Sequence, residues 1–231
     1  MWSFRTKKTL PDKVEIIIDA PKSNNKNFKL YFVNNKGIDV DTESIVKEYL
    51  IDCGLLVIRT EVAFWQAMTA LVYWEEIYDF DPEQGNDIPY DLFSADFYIK
   101  RKKSIDKKYH FLLKNGVVEL LKESIKKYKK NGYFSRLIFD QDNEMVITDS
   151  LIIKMIKRID KKDFCFITYN IVKDFNNNRA GLPDFVAWNA KTLLHIEAKR
   201  LKEELLNSQV GWISRFNEFG IDYKIVRVKA V

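Results

Sequence analysis

The stretch GLPDFVAWNAKTLLHIEAK, residues 181–199, decides the fold of this chain. Two apolar runs, DFVAW and LLHIEAK, flank the tetrapeptide NAKT, which is a pattern typical of a β-hairpin. Charged residues interrupt this pattern: Asp184 follows a proline directly, and Glu197 and Lys199 lie two positions apart on the second predicted strand. Because side chains alternate between the faces of a strand, Glu197 and Lys199 point the same way. A strand that only fills a core does not need these charges, so the stretch indicates a functional site.

A metal ion would explain the two acids. A hairpin can bring Asp184 close to Glu197, and neighbouring carboxylates repel each other unless a cation lies between them. A divalent cation removes this repulsion and acts as a Lewis acid that lowers the pKa of a bound water. Lys199 would then orient the attacking water or neutralise charge that develops on a phosphate. The alternative is that Asp184 caps a turn while Glu197 and Lys199 form an ion pair on an edge strand, and the spacing alone leaves both open.

The helix predicted over residues 203–220 favours the metal site. The side chains that share its inward face are Leu205, Gln209, Trp212, Ile213 and Phe216. Gln209 therefore points inward among apolar residues, and a buried amide needs polar partners. The metal-site hypothesis supplies such partners, whereas the ion-pair hypothesis does not.

Composition narrows the chemistry further. Of the 231 residues, 46% are hydrophobic and 14% are aromatic, which predicts a folded core rather than a disordered chain. Two cysteines are too few for a disulfide framework, and two histidines cannot build a multi-histidine zinc centre. The eight glycines are scattered and form no phosphate-cradling loop. If the chain is an enzyme, its acids are carboxylates and its cation is a hard metal.

Charge and apolar patterning bear on partners and location. The formal net charge of +5 permits a polyanionic partner without proving one. The first ten residues lack the apolar region of a secretory signal, and no apolar run reaches the length of a membrane span. We therefore expect a soluble intracellular protein, cytoplasmic or nuclear depending on its host, with no membrane partner.

Periodicity and turn signals predict the order of the elements. Besides the hairpin, strands are predicted over 14–19, 28–33, 164–172 and 223–231. Helices are predicted over 41–54, 60–80, 99–114, 116–132, 149–163 and 203–220, and loops over 81–89 and 174–181. This order indicates one compact unit that is helical first and mixed α/β last.

Three motifs of the C-terminal half, GLPDFVAW, IEAK and NSQVGWI, resemble the VRR-NUC (virus-type replication-repair nuclease) domain, a branch of the PD-(D/E)xK nucleases. Upstream, ESIVKEYLIDCG, RTEVAFWQAMTALVYWEEIY and YDLFSADFYIKRK are similar in order and spacing to the catalytic region of the Fanconi-associated nucleases. The resemblance implies an α/β fold: a PD-(D/E)xK core of mixed sheet flanked by helices, with a mainly helical N-terminal half. We expect a single nuclease domain over 1–231, with a strand-rich segment 1–41, a mainly helical part 42–146 and a VRR-NUC core 147–231.

The same resemblance implies a function. The chain would be a metal-dependent, structure-selective DNA nuclease using Mg²⁺ or Mn²⁺, a flap-type endonuclease or an exonuclease in DNA repair or replication. Asp184, Glu197 and the backbone carbonyl of Ala198 would bind metal, Lys199 would serve the water or the phosphate, and Gln209 would support the site. Two alternatives stay open: a dimeric Holliday-junction resolvase, and a nucleic-acid-binding module without catalysis. The active form would be a monomer or a homodimer.

A further acid, Glu61, matches the family's distant helical carboxylate and would be another metal ligand by resemblance. Its position in the sequence agrees with this role. Glu61 falls on the same helical stripe as Phe64 and Met68, and an acid on an apolar helix face is unusual unless it has a function. The alternative is an acid at a helix start, favoured by the helix dipole. Asp149 is a weaker rival, because short VRR-NUC proteins place their helical acid nearer to the hairpin.

Basic residues are the candidates for phosphate contacts, although most such runs are solvated helix faces. Arg179, in the loop before Asp184, is the better-placed candidate for a DNA contact. Arg200 and Leu201 stand where the family often has Gly-Pro, and Arg200 is predicted to contact a phosphate there. The two lysine-rich clusters add Lys100, Arg101, Lys102, Lys103, Lys126, Lys127, Lys129 and Lys130. His195 shares a face with Glu197 and is interpreted as a packed strand residue rather than a ligand.

Overall fold

The computed structural model describes residues 14–24, 31–61, 63–79, 88–139 and 147–231. The chain divides into two compact units. The sheet unit consists of Met1–Arg59 and Pro183–Val231, and the helical unit consists of Thr60–Leu182. The helical unit is thus inserted into the sequence of the sheet unit, and its boundaries differ from those of the segments expected from the sequence. That the whole chain is a single domain stays a prediction.

The described residues contain the following elements in chain order. The strands are β1 (Glu15–Ala20), β2 (Phe32–Val33), β3 (Asp39–Val40), β4 (Leu56–Arg59), β5 (Phe185–Trp188), β6 (Leu193–Arg200) and β7 (Tyr223–Ala230). The helices are α1 (Thr42–Asp52), α2 (Ala63–Val72), α3 (Trp74–Ile77), α4 (Asp96–Asn115), α5 (Val118–Tyr128), α6 (Tyr133–Phe139), α7 (Asp149–Ile156), α8 (Lys161–Lys173), α9 (Phe175–Asn178) and α10 (Asn207–Phe219).

A five-stranded mixed sheet, in the order β1-β7-β6-β5-β4, forms the centre of the sheet unit. Strand β7 pairs in parallel with both β1 and β6. Strands β5 and β6 form the antiparallel hairpin predicted from the sequence. Its turn is set by Asn189, whose side-chain oxygen accepts hydrogen bonds from the backbone N–H groups of Lys191 and Thr192. The hairpin prediction is therefore confirmed.

Helices cover both faces of this sheet. On one face, Leu194, Ile196 and Ala198 of β6 join an apolar core with Val46 and Leu50 of α1. On the other face, α10 lies over the alternate residues of β6, and the Phe216 ring is 4.9 Å from the His195 imidazole. His195 is fully buried there, and burial lowers its pKa to about 3, so the ring is neutral and packs as a strand residue. Glu197 and Lys199 follow on this second face.

Helix α2 has the most buried sequence of the helical unit. Its residues from Phe64 to Val72 are all buried, including the polar Gln66 and Thr69. It packs against α5, α6 and α8, which explains why it is buried on all sides rather than along one stripe.

One predicted strand is wrong. Residues 164–172, read as a strand because they are rich in β-branched and aromatic residues, lie within helix α8. The buried side chains Phe164, Ile167, Thr168 and Ile171 recur at helical spacing, and Asp160 caps the helix by accepting a hydrogen bond of 2.7 Å from the N–H of Lys162. Periodicity thus outweighs β propensity in this segment.

Other boundaries also differ. The helix predicted over 149–163 ends at Ile156, and the loop predicted over 174–181 contains the short α9. The helix predicted from residue 203 begins at Asn207, and neither β4 nor α6 was predicted. Of the strand predicted over 28–33, residues 28–30 lie outside the described residues, as do residues 81–87 of the first predicted loop. No helix among the described residues is both long and apolar enough to cross a lipid bilayer.

Candidate functional site

Asp184 and Glu197 are neighbours across the β5–β6 hairpin. Phe185 pairs with Ile196, so extending the register by one residue places Asp184 opposite Glu197. Asp184 Oδ2 accepts a hydrogen bond of 2.8 Å from the backbone N–H of Ala198. Asp184, the residue just before β5, is therefore held against β6 by its side chain. Asp184 is 6% exposed and Glu197 is 2% exposed, so both acids are buried.

Lys199 lies beside Glu197 on the same face of β6. Its Nζ is 3.0 Å from Glu197 Oε1, and both side chains are buried. Burial acts to lower the pKa of Lys199, but the charge and hydrogen bond of Glu197, with smaller contributions from Glu203 and Asp184, outweigh it and raise the pKa above its ordinary value. Lys199 is therefore a charged ammonium held among carboxylates.

Gln209 fixes the Glu197 carboxylate from the opposite side. Its Nε2 donates to Glu197 Oε1 at 2.6 Å, and its Oε1 accepts from the backbone N–H of Leu206 at 2.9 Å. The second bond satisfies an N–H group at the start of α10 and thereby fixes which way the amide points. The buried amide thus has polar partners, as the sequence pattern required.

Sequence reasoning missed Glu203, which lies in the turn after β6. Its Oε1 is 3.6 Å from Lys199 Nζ, while its Oε2 accepts from Arg200 Nε at 3.0 Å and from the Arg200 backbone N–H at 3.3 Å. Burial acts to raise the pKa of Glu203, but the hydrogen bonds from Arg200 and the charge of Lys199 hold it below its ordinary value. The spacing of four residues between Lys199 and Glu203 was the only sequence signal for this contact. Whether the two side chains meet depends on the shape of the turn, which the spacing does not predict.

The chemistry of this site fits a hard divalent cation. Mg²⁺ is usually held by one or two carboxylates together with water and substrate phosphate, and Asp184 and Glu197 are two such carboxylates. The N–H of Ala198 faces Asp184, and because the N–H and C=O of one strand residue point to the same side, its carbonyl oxygen faces the same edge. Within the described ranges, no cluster of three or more His, Cys, Asp or Glu side chains could hold a metal ion. Any ion here would rely on water or phosphate oxygens for its remaining ligands.

The two candidate helical acids belong to the helical unit. Glu61 lies in the turn just before α2, where its carbonyl oxygen accepts a hydrogen bond of 2.9 Å from the N–H of Phe64. Asp149 is the first residue of α7 and forms an ion pair of 2.7 Å with Lys129. The role of Glu61 as a metal ligand stays a prediction. The charge of Asp149, the rival acid, is already balanced by Lys129.

Arg101 corrects the predicted DNA contacts of the first lysine-rich cluster. It is 3% exposed, and its two terminal nitrogens bond both carboxylate oxygens of Asp91 at 2.8 and 3.2 Å. Its role here is a buried ion pair, so it does not belong to a phosphate-contacting surface. Lys102 is exposed and pairs with Asp106, and Lys103 is exposed on the same helix.

The remaining predicted contacts are more accessible. Lys100 lies 3.7 Å from Asp91, and its side chain is about half exposed. The exposed lysines at and just beyond the C-terminal end of α5 are Lys126, Lys127 and Lys130, whereas Lys129 is half-buried beside Asp149. Arg179 is exposed, with its guanidinium 4.8 Å from the Phe93 ring centre. Contact of these residues with DNA stays a prediction.

The sheet bears out the predicted fold class. A five-stranded mixed sheet flanked by helices, with two acids and a lysine at one hairpin, agrees with the α/β core that the resemblance implied. Residues 119–230, just under half of the chain, match the VRR-NUC domain family, and this match bears out the resemblance found in the sequence.

Solved structures share this fold. The chain superposes with a TM-score of 0.70 and 18% identity on a crystal structure of paFAN1 bound to 2nt 5′ flap DNA with gap, covering 98% of this chain and 40% of that one. A second paFAN1 structure, with 1nt 5′ flap DNA with gap, gives the same values. The chain therefore spans less than half the length of paFAN1. A search of curated protein sequences found no match.

Proposed function

We propose that this chain is a DNA nuclease that hydrolyses phosphodiester bonds with the help of Mg²⁺ or Mn²⁺ and selects its substrate by shape. The observation that carries the proposal is the buried group of Asp184, Glu197 and Lys199, braced by Gln209, within the segment that matches the VRR-NUC family. Buried charged side chains destabilise a fold unless they are paired. A buried cluster of two acids and a lysine is therefore more typical of a catalytic site than of a structural core.

The side chains have distinct roles in this proposal. Asp184, Glu197 and the Ala198 carbonyl would hold the metal, which when bound polarises a phosphate and lowers the pKa of a water molecule. Lys199 carries a full positive charge, so it donates hydrogen bonds to the phosphate oxygens or to the attacking water. Gln209 keeps Glu197 in one orientation, which preserves the geometry of the ligand. Glu61 remains in the proposal as a further ligand, on its match to the family's helical acid.

The proposed substrate is branched DNA such as a flap, cleaved by endonuclease or exonuclease action in repair or replication. The support is the shared fold with paFAN1, which is described as bound to 5′ flap DNA, together with a net charge of +5 and several exposed lysines. Phosphate contacts from such lysines provide affinity that does not depend on sequence.

The test is cleavage of labelled 5′ flaps, 3′ flaps, four-way junctions, single strands and duplexes in Mg²⁺ and in Mn²⁺. We expect the wild type to cut flaps or junctions faster than duplexes. Asp184→Asn and Glu197→Gln should abolish cutting, and Lys199→Met should slow it by about 10²–10³-fold. The matched control is Lys191→Met in the β5–β6 turn, which should leave cleavage unchanged. A wild type that binds DNA and cuts none of these substrates would instead support a non-catalytic binding module.

A further inference from the structure

A pocket of ≈ 450 Å³ opens in the sheet unit beside the end of β6. Its charged lining consists of Arg200, Lys202 and Lys229 against one carboxylate, Glu203, and its aromatic wall is Tyr31. The excess of positive charge favours an anionic occupant.

The Glu203 carboxylate marks where such an anion would bind. Arg200 offers it both its guanidinium, at 3.0 Å, and its backbone N–H, at 3.3 Å. Lys199 approaches it from the catalytic side at 3.6 Å. Two cations and an N–H group that converge on one anion are the donors that also bind a phosphate group. Since Lys199 and Arg200 share this carboxylate, the pocket adjoins the catalytic lysine.

Tyr31 adds a surface on which a base could stack. Its ring packs edge-on against Phe32, with centres 5.1 Å apart, which restrains its orientation. Two cations lie near the ring, with Arg200 at 5.8 Å and Lys22 at 5.7 Å from its centre. An aromatic ring beside positive charges is the combination by which proteins hold single-stranded nucleic acid.

We propose that this pocket is a subsite for one nucleotide of the DNA strand adjacent to the scissile phosphate. The nucleotide's phosphate replaces the Glu203 carboxylate as the partner of Arg200, with Lys202 and Lys229 of the pocket lining adding positive charge, and its base stacks on Tyr31. The inference rests on the proposed nuclease function for its substrate class.

Calorimetric titration with thymidine 5′-monophosphate, in the absence of divalent metal, tests the subsite. Tyr31→Leu should weaken binding by about fivefold to a hundredfold, the range measured when an aromatic stacking partner of a base is removed. Lys202→Ala should also weaken it. Glu203→Gln should tighten binding by about twofold to fivefold, because it removes a competing charge from a partly exposed site. A purely structural role for Glu203 predicts no such tightening.

Matched controls separate the pocket from general surface effects. Tyr90→Leu and Lys191→Ala change an exposed tyrosine and an exposed lysine outside the pocket and should bind as the wild type does. Inorganic phosphate and deoxyribose 5-phosphate should bind more weakly than the nucleotide, and equal affinities would overturn the stacking role of Tyr31. No nucleotide binding by the wild type, or equal binding by Tyr31→Leu and Tyr90→Leu, would also overturn the proposal. If Tyr31→Leu does not fold, Lys202→Ala and Glu203→Gln decide the test, and an unchanged affinity in both refutes the subsite.

The outcome is distinguishable from that of the nuclease proposal. Nucleotide binding that responds to these variants in a protein that cleaves no DNA would reject the nuclease and keep the pocket. Cleavage by a wild type that binds no nucleotide would reject the pocket and keep the nuclease.

Discussion

Gln209 donates a hydrogen bond of 2.6 Å to Glu197 while its own oxygen holds the backbone N–H of Leu206. The start of helix α10 is thereby tied to the central strand β6 through one amide. The same side chain serves the stability of the helix and the orientation of a proposed metal ligand.

Replacing Gln209 should therefore affect both properties. Gln209→Leu should destabilise the protein by about 1 kcal/mol through loss of the N-terminal cap, and slow cleavage by about 10–100-fold because Glu197 loses its brace. Initial rates on a flap substrate and thermal unfolding measure the two effects, with Ser208→Ala on the same helix turn as control. Full activity in Gln209→Leu would mean that Glu197 needs no support from α10.

Lys199 offsets the charge of Glu197 when no metal is bound. Lys199→Met leaves a buried carboxylate without its cation, so we expect a loss of about 3 kcal/mol in the free energy of unfolding. Added Mn²⁺ should then raise the melting temperature of Lys199→Met more than that of the wild type, because the metal no longer meets a competing ammonium. Asp184→Asn combined with Lys199→Met should lose this rise. If Mn²⁺ stabilises none of these proteins, a metal at Asp184 and Glu197 is ruled out.

Glu203 should give the stability a defined pH dependence. Its folded-state pKa lies below its ordinary value of 4.5, so its contribution is complete above that value and is lost as the pH falls through the folded-state pKa. The difference in unfolding free energy between wild type and Glu203→Gln should accordingly shrink on acidification. Chemical denaturation of both proteins from neutral pH down to about pH 3 measures it. A constant difference over this range would show that Arg200 and Lys199 do not favour the charged carboxylate.

The salt dependence of DNA binding should separate surface lysines from buried arginine. If Lys126, Lys127 and Lys130 contact phosphates, changing all three to Gln should flatten the plot of log affinity against log salt by about 0.9 per contact. Binding is measured in Ca²⁺ to suppress cleavage, with Lys191→Gln as control. An unchanged slope would assign these lysines to a solvated face.

Arg101 should behave in the opposite manner. Arg101→Met breaks the buried pair with Asp91, so it should lower the unfolding free energy by about 3–5 kcal/mol. The Arg101→Met protein that remains folded should show the same slope of log DNA affinity against log salt as the wild type. A flattened slope at wild-type stability would restore Arg101 to the predicted DNA surface.

Local patterns predicted the part of the molecule that carries the candidate site. The hairpin was predicted from its turn residues and the two apolar runs that flank them, and Gln209 stood out because it interrupts an apolar helix face. Long-range pairing explains what was missed. The four-residue strand β4 exists through its pairing with β5, which lies beyond the whole helical unit in the sequence. The segment 164–172 shows the converse error, because its β-branched residues fit a buried helix face equally well.

The order of strands has a consequence for how the sheet is made. Strand β7 lies between β1 and β6, and its register pairs Glu15 with Ile225. During synthesis, β1 emerges early and has no partner in this sheet until residues 223–230 are also available. Pairing over such sequence separation makes folding slow, and an unpaired strand edge exposed meanwhile invites association with other chains. The final assembly of the sheet therefore depends on a strand that is translated long after the first one.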